Sequence, residues 1–287
     1  LGLRAIGHAG TLDPLASGLL VLLLGEGTKI SDYILESGKS YDAKIRLGVS
    51  TNTMDMTGEV VAEASPPTDF ELIAAAVAAM AGDLDLEVPA HSAVKVGGRK
   101  LYEYARREQE VELPRRTMSF YDVKAVEIDT DARGTFVRVA LSCSKGSFIR
   151  AWAHELGRRL GCGGAVEELR RLRSEPFCVD DAITLDTLDQ AWRARERRHG
   201  SILGRAWVPL KDALPAFPSL WVEGRDEALI RNGQVPKSAH AELLRYVIAG
   251  ERPPPVKAVS RDTEDLVALL AIEPGEFYKI RRVFLRA

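Results

Sequence analysis

The sequence predicts a mixed α/β chain of the α+β kind. Strands and helices fill a large N-terminal region, and a small β-rich region follows it. Three observations predict this. Ser40–Gly48 and Thr135–Cys143 carry strand-like apolar runs. Thr68–Ala81 and Phe148–Leu160 carry helix start and stop signals. Pro209, Pro215 and Pro218 then mark a change of composition, after which only short strands and turns are legible.

Taken in order, Val21–Leu24 reads as a strand ending near Gly25. Ser40–Gly48 is a second strand, with Tyr41, Ala43, Ile45 and Leu47 on one face. Thr51–Gly58 is a turn-rich loop. Thr68 to Glu71 fits a capping box that opens an Ala-rich helix running to Ala81, where Gly82 stops it. Gly97-Gly98 opens a polar loop into an amphipathic helix near Leu101–Arg107. Phe120–Ile128 and Thr135–Cys143 are expected to pair across the turn at Asp129–Gly134. Phe148–Leu160 is a helix closed by Gly161, and Leu185–Arg198 is another. Beyond the prolines, strands are expected at Leu220–Glu223, Tyr246–Ala249, Val267–Ile272 and Tyr278–Leu285, with a proline-rich loop over Arg252–Lys257. The resulting unit of about 70 residues is large enough to fold alone.

Composition excludes several classes. Charged residues make up 28% and hydrophobic residues 46%, as in an ordinary globular protein. The apolar run Leu19–Leu24 has six residues and the longest, the Ala-rich Leu72–Ala81, has ten, both far short of the ~20 that a membrane helix needs. Residues 1–20 lack a signal-peptide pattern, so a cytoplasmic location is expected. The three cysteines, Cys143, Cys162 and Cys178, show no CxxC spacing. They read as small buried hydrophobes in a reducing compartment, and neither a metal site nor a disulfide is expected. The "HELG" run at His154–Gly157 does not continue to HExxH. A net charge of −2 leaves only local basic patches as a footprint for nucleic acid. Lys95–Arg116 and Lys145–Arg173 are such patches, although solvated helix faces with interleaved glutamates are the commoner origin of such runs.

One acid stands apart. Asp13 lies in "GHAGTLDPLASGLL", between a glycine-flanked turn and the apolar run. Pro14 pushes it out of the helical region into an extended conformation. An acid beside apolar chain needs a cation or hydrogen bonds. In "CSKGSFIR", Arg150 is a candidate for a bidentate pair, and its own residues fit a surface arginine at a helix start equally well. Tyr41 sits on a strand face that otherwise looks buried, where a core tyrosine is the common outcome. His8 reads equally as a turn histidine or a substrate contact.

"GHAGTLDPLASGLL" resembles the catalytic segment of the TruB family of tRNA pseudouridine synthases. "GEGTK", "KSYDAKIRLG", "TNTMDMTG", "HSAVKVGGRKLYEYAR", "CSKGSFIRAWAHELGRRLGCGG" and "LRRLRSEPF" follow in family order between Gly25 and Phe177. "ALIRNGQ" (Ala228–Gln234) is a weaker echo, similar to the start of a PUA-type RNA-binding domain. The resemblance implies a pseudouridine synthase fold with a largely antiparallel sheet, residues 1–212, and an inserted thumb at about 91–116. It implies a small β-rich PUA-like domain over 216–287. Asp13 would attack a flipped uridine, at the uracil ring or at the ribose. Uracil would detach, rotate and rejoin through carbon 5. Tyr41 would stack on the base, Arg150 would pair with Asp13, and Phe148 would pack by the base. Lys29 would serve the site or the RNA backbone, His8 would contact the T-loop, and Leu172 would line the pocket. Lys95, Arg99, Lys100, Arg106 and Lys145 would bind RNA. The substrate implied is the T-loop uridine at position 55 of tRNA. No cofactor, metal or guide RNA is implied, and a monomer is expected.

Some positions depart from the family pattern: Phe148 where tyrosine is usual, His91 for a tyrosine, Leu86 and Val88 for glutamine and proline, and Asn52 for an aspartate. These are expected to tune RNA binding more than chemistry. The family has a further upstream segment with a Lys-Pro motif, which the chain is expected to lack. The alternatives are a non-catalytic RNA binder or tRNA-folding chaperone of the same fold, a guide-dependent synthase of the dyskerin type, and a glycosidic hydrolase. The hydrolase would need a second carboxylate, for which Asp55 is the candidate.

Overall fold

A computed structural model describes residues 5–193, 203–247, 253–272 and 277–285. The chain opens with β1 (Ile6–His8), β2 (Ala16–Gly18), β3 (Leu22–Leu24), a 3-10 segment over Gly25–Ile30 and α1 (Ser31–Leu35). Next come β4 (Lys39–Leu47), the short strands β5 (Val49–Thr51) and β6 (Val60–Glu63), α2 (Phe70–Ala78) and β7 (Gly82–Glu87). A small hairpin, β8 (Lys95–Val96) and β9 (Arg99–Lys100), leads into α3 (Leu101–Ala105). Then follow β10 (Arg115–Asp131), β11 (Gly134–Cys143), α4 (Ile149–Arg159), β12 (Gly164–Ser174), β13 (Phe177–Cys178) and α5 (Leu185–Arg193). The remainder holds β14 (Ser219–Val222), α6 (Gly224–Arg231), α7 (His240–Leu244), β15 (Val256–Ser260), β16 (Leu266–Ile272) and β17 (Tyr278–Val283).

These elements form two compact units, one of Gly10–Leu20 and Leu35–Asp180, the other of Leu1–Ala9, Val21–Ile34 and Asp181–Ala287. In the first, the main sheet runs β13-β12-β4-β11-β10-β7, with β2 added beside β12. Every pairing along that path is antiparallel; only β2 joins in parallel. The mixed α/β character and the largely antiparallel sheet are as the sequence predicts. β4 sits centrally, and its Ala43, Ile45 and Leu47 are buried in the core with Val137, Val139, Leu141 and Val166. α2 and α4 cover this sheet, and the Trp152 indole of α4 donates to the Met80 carbonyl at 3.1 Å. Residues 88–114 are inserted between the adjacent strands β7 and β10.

In the other unit the sheet runs β14-β15-β16-β17. All five residues of β15 are buried, and Ile230 and Leu243 from the two flanking helices join the same core.

Several boundaries differ from the sequence reading. The cap of α2 is Asp69 instead of Thr68: its carboxylate accepts from the Glu71 and Leu72 backbone N–H groups. That helix ends at Ala78, and Gly82 opens β7, a strand whose charged alternation (GDLDLE) hid it. β12 was also missed, because its charged run "EELRRLR" reads as solvated surface although Leu169 and Arg171 are buried. Gly97-Gly98 is the tip of a hairpin ahead of α3, which stops at Ala105. The strand expected at Tyr246–Ala249 is absent over Tyr246–Val247, where the chain turns out of the helix His240–Leu244; residues 248–249 lie outside the described set. The loop expected to reach Lys257 gives way to β15 at Val256. The end of the helix expected to reach Arg198 also lies outside the described residues, beyond Arg193. Val21–Leu24 forms only the three-residue strand β3, with Leu22 exposed, since its two-stranded pairing with β1 buries little of its surface.

One contact sets the seat of α4. A Cβ added to Gly157 would come within 2.1 Å of the Gly163 and Gly164 backbone. Gly157→Ala is therefore expected to lower stability by about 1–3 kcal/mol or more through overpacking. Thermal melting beside wild type checks it, and an unchanged midpoint would mean that α4 can shift without cost.

Candidate active site

Asp13 is placed by its own turn. Its carbonyl accepts from the Ala16 N–H at 2.8 Å, with Pro14 and Leu15 at the corners. Although it lies beside apolar chain, the side chain keeps 33% exposure. It is open on one side, as a group that reaches substrate has to be.

Its partner is Arg150, in the first turn of α4 and only 4% exposed. Nε donates to one Asp13 carboxylate oxygen at 2.8 Å and Nη2 to the other at 3.1 Å, a bidentate pair spanning 137 positions of sequence. The same guanidinium donates through Nη1 to the Thr53 carbonyl and through Nη2 to the His91 carbonyl, both at 3.1 Å. One cation thus joins the Asp13 turn, the Thr51–Gly58 loop and the start of the inserted segment.

Asp55 lies 3.8 Å from Arg150 Nε and is buried. Its Oδ1 accepts from the Thr53 hydroxyl and from the hydroxyl and N–H of Thr57. Three donors on Oδ1 and burial fix this carboxylate within its own loop, a structural setting that argues against a second catalytic carboxylate of the kind a hydrolase needs.

Tyr41 of β4 is half-buried, and its hydroxyl pKa is pushed up to about 12, first by burial and then by Cys143 and Asp13, against Arg171. It remains a neutral phenol at physiological pH. Burial also pushes the Cys143 thiol up to about 12, so that cysteine is inert near neutrality. Phe148 caps α4 at its N-terminus and packs, half-buried, against the sheet core. Leu172 lines an open cleft of about 330 Å³ with Leu15, Ser17, Asp42, Arg138 and Leu169; Asp13, Tyr41 and Arg150 do not line it.

The remaining candidates spread outward. Lys95, Arg99 and Arg106 are exposed on the insertion; Lys145, exposed between β11 and α4, pairs with Glu36 at 2.8 Å. Lys100 and Arg106 flank the Tyr102 ring at 5.4 and 5.3 Å. His8 and Lys29 belong to the other unit. His8 is exposed on β1. The Lys29 ammonium pairs with Glu26 at 2.6 Å and donates to the Val283 carbonyl at 2.9 Å.

The sequence reading missed Arg171. It is 1% exposed, lies opposite Tyr41 across β12 and β4, and donates to the Asp13 loop. Its only local signal is its two-residue phase with Leu169.

Residues 1–149 match the family model of the TruB family pseudouridylate synthase N-terminal domain, and residues 150–215 that of the tRNA pseudouridylate synthase B C-terminal domain. The chain is 40% identical to tRNA pseudouridine synthase B of Bdellovibrio bacteriovorus, covering 99% of this chain and 89% of that protein. It is 44% identical to the protein of the same name from Aromatoleum aromaticum over 80% of this chain and 71% of the relative. Among solved structures, a Cbf5-Nop10-Gar1 complex matches with a TM-score of 0.68 at 24% identity, covering 99% of this chain and 77% of that one, which is a likeness of fold. With a family model spanning residues 1–149 and this identity to curated relatives, the chain belongs to the TruB family of pseudouridylate synthases.

Proposed function

We propose that the chain isomerises uridine to pseudouridine in the T-loop of tRNA, at position 55, with Asp13 as nucleophile. The observation that carries this reading is the Asp13–Arg150 pair: a carboxylate oriented from behind by a buried guanidinium and open in front. Membership of the TruB family supports the reaction, and the names of the relatives support tRNA as the substrate.

The reaction needs the target base taken out of its loop, which costs a few kcal/mol. Tyr41 offers the aromatic face on which the extruded base stacks, with Phe148 beside it. Asp13 attacks the flipped nucleotide. The bond from ribose C1′ to N1 breaks, uracil rotates, C1′ joins carbon 5, and the bond that Asp13 formed breaks to return the free carboxylate. The proton on carbon 5 leaves to solvent and N1 takes one up, so atoms and charge balance without hydrolysis or redox change. No cofactor enters the scheme. The domain reading rests on the same resemblance. Residues 1–212 form the catalytic part, the segment 91–116 closes on RNA as a thumb, and 216–287 add a PUA-like RNA-binding unit. Lys95, Arg99, Lys100, Arg106 and Lys145 meet phosphates, with His8, Lys29 and Leu172 as further contacts. The enzyme acts as a monomer in the cytoplasm without a guide RNA.

The test uses unmodified tRNA carrying tritium at uridine carbon 5. Wild-type chain alone is expected to release one tritium per tRNA, and none from a transcript with cytidine at position 55. Release that survives that substitution would move the target elsewhere; release of free uracil would make the protein a hydrolase.

A further inference from the structure

Arg171 is a buried cation with no carboxylate in ion-pair distance among the described residues; its counter-groups are backbone. Nε donates to the Leu19 carbonyl at 2.7 Å, Nη1 to the Thr11 carbonyl at 3.1 Å and Nη2 to the Gly10 carbonyl at 3.2 Å. These carbonyls stand on both limbs of the loop that carries Asp13. The arginine's own carbonyl accepts the Leu19 N–H at 2.9 Å. Gly18 pairs with it from β2, and a Cβ there would fall 2.3 Å from the Arg171 carbonyl, at a φ of +95°. On its other side, Arg171 is the cross-strand partner of Tyr41. Paired residues of neighbouring strands share a face, and the Arg171 charge counters the rise that burial imposes on the Tyr41 hydroxyl. Lys39, also on β4, approaches the same spot, its side chain beside Gly10 and its ammonium turned to the Ser37 carbonyl at 3.0 Å.

Burying an arginine against carbonyls alone is expensive. A fold that needed only to anchor a loop could do so with apolar contacts. What a guanidinium adds is a planar fork that fixes three acceptors relative to one another. Here those acceptors are the two limbs of the nucleophile's loop, and the arginine that holds them is the cross-strand partner of the residue that faces the base. Arg150 orients the carboxylate; Arg171 sets the backbone from which it projects.

We propose that Arg171 is a positioning residue for the isomerisation: its fork of donors holds both limbs of the Asp13 loop in register with Tyr41, so that the chemical step depends on guanidinium geometry beyond the positive charge. This rests on the reading of Asp13 as the nucleophile.

The test compares full-length wild type, Arg171→Lys, Arg171→Met, Asp13→Asn and, as a control on the same strand, the exposed Arg173→Lys. Each is assayed for single-turnover tritium release from 5-tritiated tRNA, for tRNA Kd by filter binding, and for melting. A misplacement of about 1 Å costs roughly 100-fold in rate, so Arg171→Lys should slow release by about 30-fold or more with Kd within about threefold. Arg171→Met should be slower still, and Arg173→Lys unchanged. Rates are read well below the melting midpoint, so that a purely structural role would leave the rate per folded molecule intact. If Arg171→Met does not fold, Arg171→Lys decides alone. A folded Arg171→Lys within about threefold of the wild-type rate overturns the proposal, as does a Kd that weakens by the same factor as the rate. A wild type that binds tRNA and releases nothing overturns the functional reading and this proposal with it. With an active wild type and a silent Asp13→Asn, the functional reading stands, and the Arg171 variants then decide the positioning role by themselves.

Discussion

Asp13→Asn is expected to abolish tritium release, by on the order of 10⁴-fold or more, while tRNA binding stays within about threefold of wild type. The asparagine keeps the size of the side chain and one acceptor oxygen for Arg150. The turn survives as well, because it is held by the Asp13 carbonyl and not by its carboxylate. Arg150 retains its bonds to the Thr53 and His91 carbonyls, so the surrounding loops have no cause to move. What disappears is the negative charge and the lone pair that attacks. Residual release within about tenfold of wild type would assign the nucleophile elsewhere. A chaperone of the same fold, in contrast, would keep its whole function in this variant.

Arg150→Met should be the next most damaging change, and it should act on two readouts. The methionine fills a similar volume but strips Asp13 of its bidentate partner and leaves the Thr53 and His91 carbonyls without donors. Removing one member of a buried pair costs about 3–5 kcal/mol. The lower end applies here, since the Asp13 carboxylate is partly open to water. For a chain of this size that corresponds to a fall of roughly 10 °C in Tm. Isomerisation should fall on the order of 10³-fold as the carboxylate loses its orientation. Arg150→Lys should recover part of the stability and little of the rate, since a point charge cannot bridge both carboxylate oxygens. If Arg150→Met melts like wild type and turns over within about tenfold of it, the guanidinium is neither the structural joint nor the orienting group that its geometry indicates.

The two arginines divide the work by where they come from. Arg150 projects from the first turn of a helix that Gly157 seats against β12. Arg171 projects from β12 itself, between β2 and β4. Both reach back to the same short loop from positions far along the chain, so the loop's shape depends on the sheet and helix already being packed.

Much of this was legible in the sequence because it is local. The period of two in Tyr41, Ala43, Ile45 and Leu47 marks β4; the glycine after Leu160 marks the end of α4; Pro14 marks the extended setting of Asp13. The ordered motifs also identified the family. Other features depend on partners distant in sequence, and only the tertiary structure decided them. Spacing alone left Arg150 equally well placed on the surface or against an acid; packing set it against Asp13. The charged run at β12 reads as solvent-facing until β4 and β2 close on either side and bury Arg171. Asp55 reads as a free carboxylate until burial and the Thr53 and Thr57 donors tie its Oδ1 into its own loop. Local backbone preference acts within a few residues, whereas the desolvation and pairing of a charge depend on every strand that packs around it. The sequence by itself thus determined most of the elements, the family and the acid proposed as nucleophile, and the tertiary structure decided which cations hold that acid in place.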